Sequence, residues 1–263
     1  MNRALLVGIN KYPDAPLRGC VNDVQDMATL LVERAGFKHK EVRLLVDTRA
    51  TTTAILERLS WLVGGVREGD RLLFHYSGHG AQLPTRNPSG EVDKLDEVIC
   101  PVDFDFTDEH AIRDKMFARI FSKVPPGVSA AWVSDSCHSG DLTRELGRSP
   151  RAMPFPADIA WRLETAVRAD RKPLSFVHAI KSYNVALISG CRSDQTSADA
   201  EFNGRANGAM TRALLDELAE NGGMKRPLTK LVDGLRKRLK QMGYAQEPQL
   251  EGAAGIMGNG FLE

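Results

Sequence analysis

No stretch of this chain is apolar for long enough to cross a membrane. The apolar run near the start, Ala4 to Ile9, covers six residues, where a spanning helix needs about 20. It is also too short for the apolar core of a signal peptide, and it reads as a first strand. An excess of one charge is missing too. Lys and Arg total 35 against 34 Asp and Glu, so there is no general electrostatic case for nucleic acid. Cysteines are few and scattered. Cys20, Cys100, Cys137 and Cys191 include no C-x-x-C pair, so a zinc or dithiol site has no recognisable frame. In a reducing compartment these are free thiols, most of them packing residues. Neither Ser77 nor Ser139 sits in the G-x-S-x-G elbow of a serine hydrolase. These absences leave a cytoplasmic protein with no membrane or nucleic-acid partner as the expectation.

What is present alternates. Short apolar runs at 3–9, 41–46, 71–76, 128–134 and 185–189 read as strands. Between and after them, apolar residues at helical spacing mark helices beginning near Asn22 or Asp23 and at Thr51, Asp114, Ala209 and Leu228. A last strand is expected near Gly255 to Met257. Residues 81–95, with Pro84, Pro88 and Gly90, read as a long surface loop. Residues 141–184 are irregular and rich in Pro and Arg, and read as a linker or insertion. Strands alternating with helices predict an α/β fold with a mainly parallel sheet, whose functional site lies at the carboxyl ends of the strands.

Two strands end in reactive-looking loops. Arg71-Leu72-Leu73-Phe74-His75-Tyr76 runs into Ser77-Gly78-His79-Gly80, and the run from Val128 ends in Ser134-Asp135-Ser136-Cys137-His138-Ser139-Gly140. An imidazole beside a thiol can take its proton and make the nucleophile. His79 and Cys137 are therefore the candidate catalytic pair. The backbone amides of Gly80 and Cys137 are candidate oxyanion donors, each worth about 3–4 kcal/mol in the transition state. His75 belongs to its strand, and His138 points away from Cys137 on an extended backbone. Zinc on His75, His79, Cys137 and His138 lacks a ligand spacing.

At these residues the chain resembles the metacaspases, of the caspase clan. The His and Cys boxes match, with the His 58 residues before the Cys, close to the roughly 50 of caspases. The likeness extends to Leu17-Arg18-Gly19-Cys20-Val21-Asn22-Asp23, Pro101-Val102-Asp103, Ser189-Gly190-Cys191, Asp194-Gln195-Thr196-Ser197-Ala198, Gly208-Ala209-Met210-Thr211 and Pro248-Gln249-Leu250. The resemblance implies a caspase–hemoglobinase fold in a single domain over 1–263. Residues 1–140 would form a large-subunit-like half, 141–184 a linker, and 185–263 a small-subunit-like half. It implies a cysteine endopeptidase with His79 as base and Cys137 as nucleophile, cutting after Arg or Lys.

By the same resemblance Cys20, Asp23, Ser77 and Asp135 line the pocket for that basic residue. Two carboxylates in a walled pocket suit a guanidinium through charge-assisted hydrogen bonds. The competing role for Asp23 is a helix cap. Many metacaspases hold calcium on carboxylates. Here Asp96 and Asp114 match, but Arg113 and the region of Arg144 stand where further acids are expected. Calcium needs six to eight oxygens, so the metal site reads as incomplete, with an Arg113–Asp96 ion pair in its place and no required cofactor. The arginines of 141–184 offer self-processing sites. No third triad member is evident, which predicts a dyad. The partners expected are protein substrates and a separate activator, and the chain is expected to be monomeric. The alternative is a caspase-like binding or signalling module with little proteolytic activity.

Overall fold

The computed structural model describes residues 1–84, 95–137, 149–159, 184–192, 195, 197–220 and 222–263. In chain order the strands are β1 (Asn2–Gly8), β2 (Val42–Val46), β3 (Arg71–Ser77), β4 (Gly80–Pro84), β5 (Leu95–Ile99), β6 (Ile112–Arg113), β7 (Ser129–Asp135), β8 (Ser149–Pro150), β9 (Ala186–Ser189), β10 (Ala198–Phe202), β11 (Arg205–Gly208) and β12 (Gln249–Glu251). The helices are α1 (Cys20–Glu33), α2 (Thr52–Val63), α3 (Asp114–Phe121), α4 (Ala209–Ala219) and α5 (Leu228–Gln241).

Six strands form the central sheet in the order β12-β9-β7-β3-β1-β2. All neighbours are parallel except β12, which runs antiparallel to β9. The apolar runs follow from burial on both faces, as parallel sheets require. Alternate residues feed opposite layers. Leu5, Val7, Leu72, Phe74 and Trp132 join one cluster with Ile55 and Leu59 of α2 and Phe117 and Phe121 of α3. Ala4, Leu6, Leu73, Val133 and Ile188 join the other with Val24 and Met27 of α1 and the apolar faces of α4 and α5. The result is a mixed α/β fold with a mainly parallel sheet between helical layers. None of the described helices is long and apolar enough to cross a membrane.

Register sets the site. Ser77 pairs with Asp135, and Gly8 pairs with Ser77, so three strands end level. Beyond them lie two small sheets. One is β4-β5-β6, and the other is β11-β10-β8.

Several expectations need correcting. Residues 81–95 are not one loop: β4 and β5 pair antiparallel, with Ala81 opposite Val98, while 85–94 lie outside the described residues. The last strand is Gln249–Glu251, and Ala254–Ile256 is a short 3-10 turn. Helix α1 starts at Cys20, with Gly19 at its N-cap, so neither Asn22 nor Asp23 caps it. The amides of Cys20 and Val21 donate instead to Asn10 Oδ1, at 2.9 and 3.4 Å. That leaves the Asp23 carboxylate for other partners. Part of the expected linker is also built into the fold, because Ser149 and Pro150 pair with Asp199 and Ala198 of β10.

Candidate active site

Four chain segments converge on one side chain, Arg151, which is completely buried. Its Nη2 donates to Asp23 Oδ2 at 2.8 Å and to Asp199 Oδ1 at 3.0 Å. Its Nη1 donates to Ser77 Oγ at 2.7 Å and to the Asp135 carbonyl at 3.2 Å, and lies 3.2 Å from Asp135 Oδ2. Burial alone would lower the basicity of this guanidinium. The carboxylates of Asp135, Asp23 and Asp199 outweigh it and hold the group protonated. Burial also raises the Asp23 pKa, opposed by Arg151 and reinforced by Asp135. Cys20, fully buried at the start of α1, is pushed up by burial and stays a neutral thiol.

The carboxylates are themselves held. Asp23 accepts from the Gly208 amide at 2.9 Å and from Asn207 Nδ2 at 3.0 Å. Asp135 accepts from the Thr211 amide at 2.9 Å, Thr211 Oγ1 at 2.7 Å and Ser197 Oγ at 2.5 Å. Asp199 accepts from the amides of Arg18 and Gly19. Gly208 forms a wall of this pocket. A Cβ there would lie 2.2 Å from Asp135 Oδ2 and 2.5 Å from Arg151 Nη1, so a larger residue would displace the guanidinium.

The backbone of Arg151 is held as closely as its side chain. Its N–H donates to the Ser197 carbonyl at 3.1 Å. Its carbonyl accepts from two amides, Gly80 at 3.0 Å and Cys137 at 3.2 Å. Past it, the Met153 amide donates to the Gly80 carbonyl at 2.8 Å, and Ala152 bridges Gly80. Residues 149–153 thus lie as an extended peptide between β10 and the start of β4. Two convergent N–H groups on one carbonyl are the arrangement that stabilises an oxyanion when that carbonyl is attacked.

His79 follows β3 by two residues, as Cys137 follows β7. His79 Nε2 is 2.7 Å from the Ala15 carbonyl. A carbonyl can only accept, so Nε2 carries the proton and Nδ1, buried with no hydrogen-bond partner among the described residues, presents its lone pair. Burial lowers the ring to about 4, against the opposing pull of the Ala15 and Arg151 backbones. It is therefore neutral at pH 7. The Tyr12 ring tilts against it at 4.6 Å between centroids, and Tyr12 Oη accepts from the His79 amide. The group that orients the imidazole is the backbone carbonyl of Ala15, which no side-chain pattern marks.

The Cys137 thiol is turned towards Cys191 Sγ, at 3.4 Å, and receives the Ser197 amide. Cys191 is held as a thiol, first by its hydrogen bond to Cys137 and then by burial. No direct His79–Cys137 hydrogen bond is present. The Arg151 carbonyl connects their two loops instead.

All four expected pocket residues, Cys20, Asp23, Ser77 and Asp135, surround the same guanidinium. Asp199, Ser197, Thr211 and the occupant Arg151 were not singled out as pocket residues. One signal was available: Asn203-Gly204 between short runs is the two-residue hairpin turn. Both residues have positive φ, 51° and 79°. That hairpin lays Asp199 opposite Gly208. His75 sits in its strand with Nε2 against Thr211 Oγ1 at 3.4 Å, and His138 lies outside the described residues.

The expected metal positions do not suit a divalent cation. Asp96 Oδ2 takes Arg113 Nη1 at 2.9 Å, and its Oδ1 lies 3.2 Å from Lys115 Nζ. Asp114 Oδ1 accepts from the Lys115 amide, and burial, then Asp96, raises its pKa to about 6. Both Asp96 oxygens thus face side-chain cations, and no cluster of metal-ligating groups forms among the described residues.

Residues 2–144 match the model of the metacaspase, peptidase C14 domain. Metacaspase-1A of Aspergillus oryzae is 32% identical over 304 residues, covering 99% of this chain and 71% of that protein. Metacaspase-1 of Meyerozyma guilliermondii is 32% identical, covering 94% and 68%. The crystal structure of protein GSU0716 from Geobacter sulfurreducens superposes with a TM-score of 0.68 at 25% identity, over 100% of this chain and 99% of that one. By the family model over residues 2–144 and its likeness to these metacaspases over nearly its whole length, the chain belongs to the metacaspase family of C14 peptidases and is a cysteine peptidase.

Proposed function

We propose that the protein is an Arg/Lys-directed cysteine endopeptidase with a Cys137–His79 dyad, and that it first cuts its own Arg151–Ala152 bond. One observation carries this reading: Arg151 has its guanidinium across three carboxylates and its carbonyl between two amides, the posture of a substrate. His79 Nδ1 takes the thiol proton as Cys137 rotates off Cys191. The thiolate attacks the Arg151 carbonyl carbon, and the amides of Gly80 and Cys137 hold the developing oxyanion. His79 then protonates the Ala152 nitrogen, the C–N bond breaks, and water hydrolyses the thioester. Lys carries one charge without the fork, so Arg is the better occupant.

Before the cut, the segment fills the pocket that other protein substrates need, so the intact chain is latent. Asp96, Arg113 and Lys115 support calcium-independent cutting, because the ion pairs already neutralise that corner. Intact-mass measurement and N-terminal sequencing of the purified protein test the reading. A fragment beginning at Ala152, absent from Cys137→Ala, is expected. A chain that stays whole with and without calcium, or a nick that persists in Cys137→Ala, would sink it.

A further inference from the structure

The residues after Arg151 are held as firmly as those before it. Ala152 is buried against the sulfurs of Cys137 and Cys191. Met153 is 8% exposed and belongs to the larger apolar cluster, with its amide on Gly80. Pro154 is exposed, and the half-buried Phe155 lies 5.7 Å from the Phe106 ring. Burial is thus continuous from Arg151 to Met153, breaks at Pro154 and resumes in part at Phe155.

The surface receiving Phe155 is built rather than incidental. Phe106 packs on Phe104 at 4.7 Å, and both lean on the core. Phe106 has φ of +65°, a conformation that costs an aromatic residue about 1–3 kcal/mol and persists only where its surroundings impose it. They do so here. Asp105 accepts from the amide and hydroxyl of Thr107 and pairs with His110 Nδ1 at 2.9 Å. Asp103 takes the amide and hydroxyl of Thr52. None of this is needed to hold or hydrolyse the Arg151 bond.

We propose that this ledge and the channel leading to it select the residues that follow the cut. The protein substrates carry Arg, then a small residue, then an apolar one, with an aromatic residue fourth. This rests on the reading of the site as an Arg-directed peptidase. Ala152 is buried and packed with Cys137 and Cys191, so a branched side chain there would press on those two residues. A carboxylate at the second position would be stranded among apolar groups.

The test uses the self-processed protein and internally quenched peptides. The parent peptide spans Ser-Pro-Arg-Ala-Met-Pro-Phe. Three variants carry Leu first, Asp second or Ala fourth after the Arg. The methyl ester of Ser-Pro-Arg, which has nothing bulky beyond the cut, is the control. The Leu and Asp peptides should fall about tenfold or more in kcat/KM. The Ala peptide should fall about threefold to fivefold. In Phe106→Ala the Phe and Ala peptides should converge while ester turnover stays within about twofold of the parent protein. Equal cutting of all four peptides beside normal ester turnover would overturn this proposal alone. No ester turnover, with or without calcium, would overturn the peptidase reading and this proposal with it.

Discussion

Removing the Arg151 side chain should leave Asp23, Asp135 and Asp199 facing one another without a counter-charge. Stripping one partner from a buried ion pair costs about 3–5 kcal/mol. Water can follow into the emptied pocket and re-solvate the acids, so the lower figure applies, about 3 kcal/mol. For a chain of this size, 1 kcal/mol moves Tm by about 2–4 °C, so the loss should be about 6–12 °C. The background is Cys137→Ala, which keeps the chain intact, with and without Arg151→Ala. Differential scanning fluorimetry at pH 7.5 and pH 5 reads the outcome. Burial already raises the Asp23 pKa in the folded state. Losing the guanidinium raises it further. A carboxyl raised above its unfolded value is destabilising above its folded pKa, and the penalty shrinks as pH falls towards the unfolded value. The gap in Tm should therefore narrow at pH 5. Agmatine at millimolar concentration should restore part of it in the variant and do nothing to the parent. A drop under about 2 °C at pH 7.5, with no response to agmatine, would refute the electrostatic account of the pocket.

Cys137→Ala should abolish self-cleavage, whereas Cys191→Ala, which removes the thiol 3.4 Å away, should leave it within about threefold, as mass spectrometry over time would show. Only neutral His79 can take the thiol proton, so the self-cleavage rate should hold as pH falls and decline near pH 4, where the ring protonates; a midpoint near 6.5, with circular dichroism reporting a folded protein, would contradict the buried ring. A calcium chelator should change the rate by less than about twofold, since Arg113 and Lys115 already neutralise Asp96; a loss of tenfold or more would show that the metal has a site after all.

The fold was legible because its signals are local. Strands β1, β3 and β7 are near-continuous apolar runs ending in Gly, Ser and Asp, and burial on both faces leaves that mark in any sequence. The His and Cys loops were legible for the same reason, as was the likeness they carry. Asp23 misled locally, since an acid in a first turn looks like a cap until Asn10 is seen taking the amides of Cys20 and Val21. Arg151 was one arginine among several in an irregular stretch. What distinguishes it is a set of partners 16, 48 and 128 residues away in sequence, and no window of sequence holds them together. The Ala15 carbonyl is still less visible, because every residue except its side chain looks the same there.

The convergence on Arg151 also bears on how the chain reaches its folded state. Asp23 comes from the first helix, Asp135 from the middle of the sheet and Asp199 from the late hairpin, and three acids do not gather in a dry space unaided. The chain supplies its own cation, covalently tethered between the second acid and the third. Arg151 thus serves as a mould: the cavity is cast around it during folding. On the proposed self-cleavage, withdrawing the mould leaves a cage shaped and charged for the next arginine.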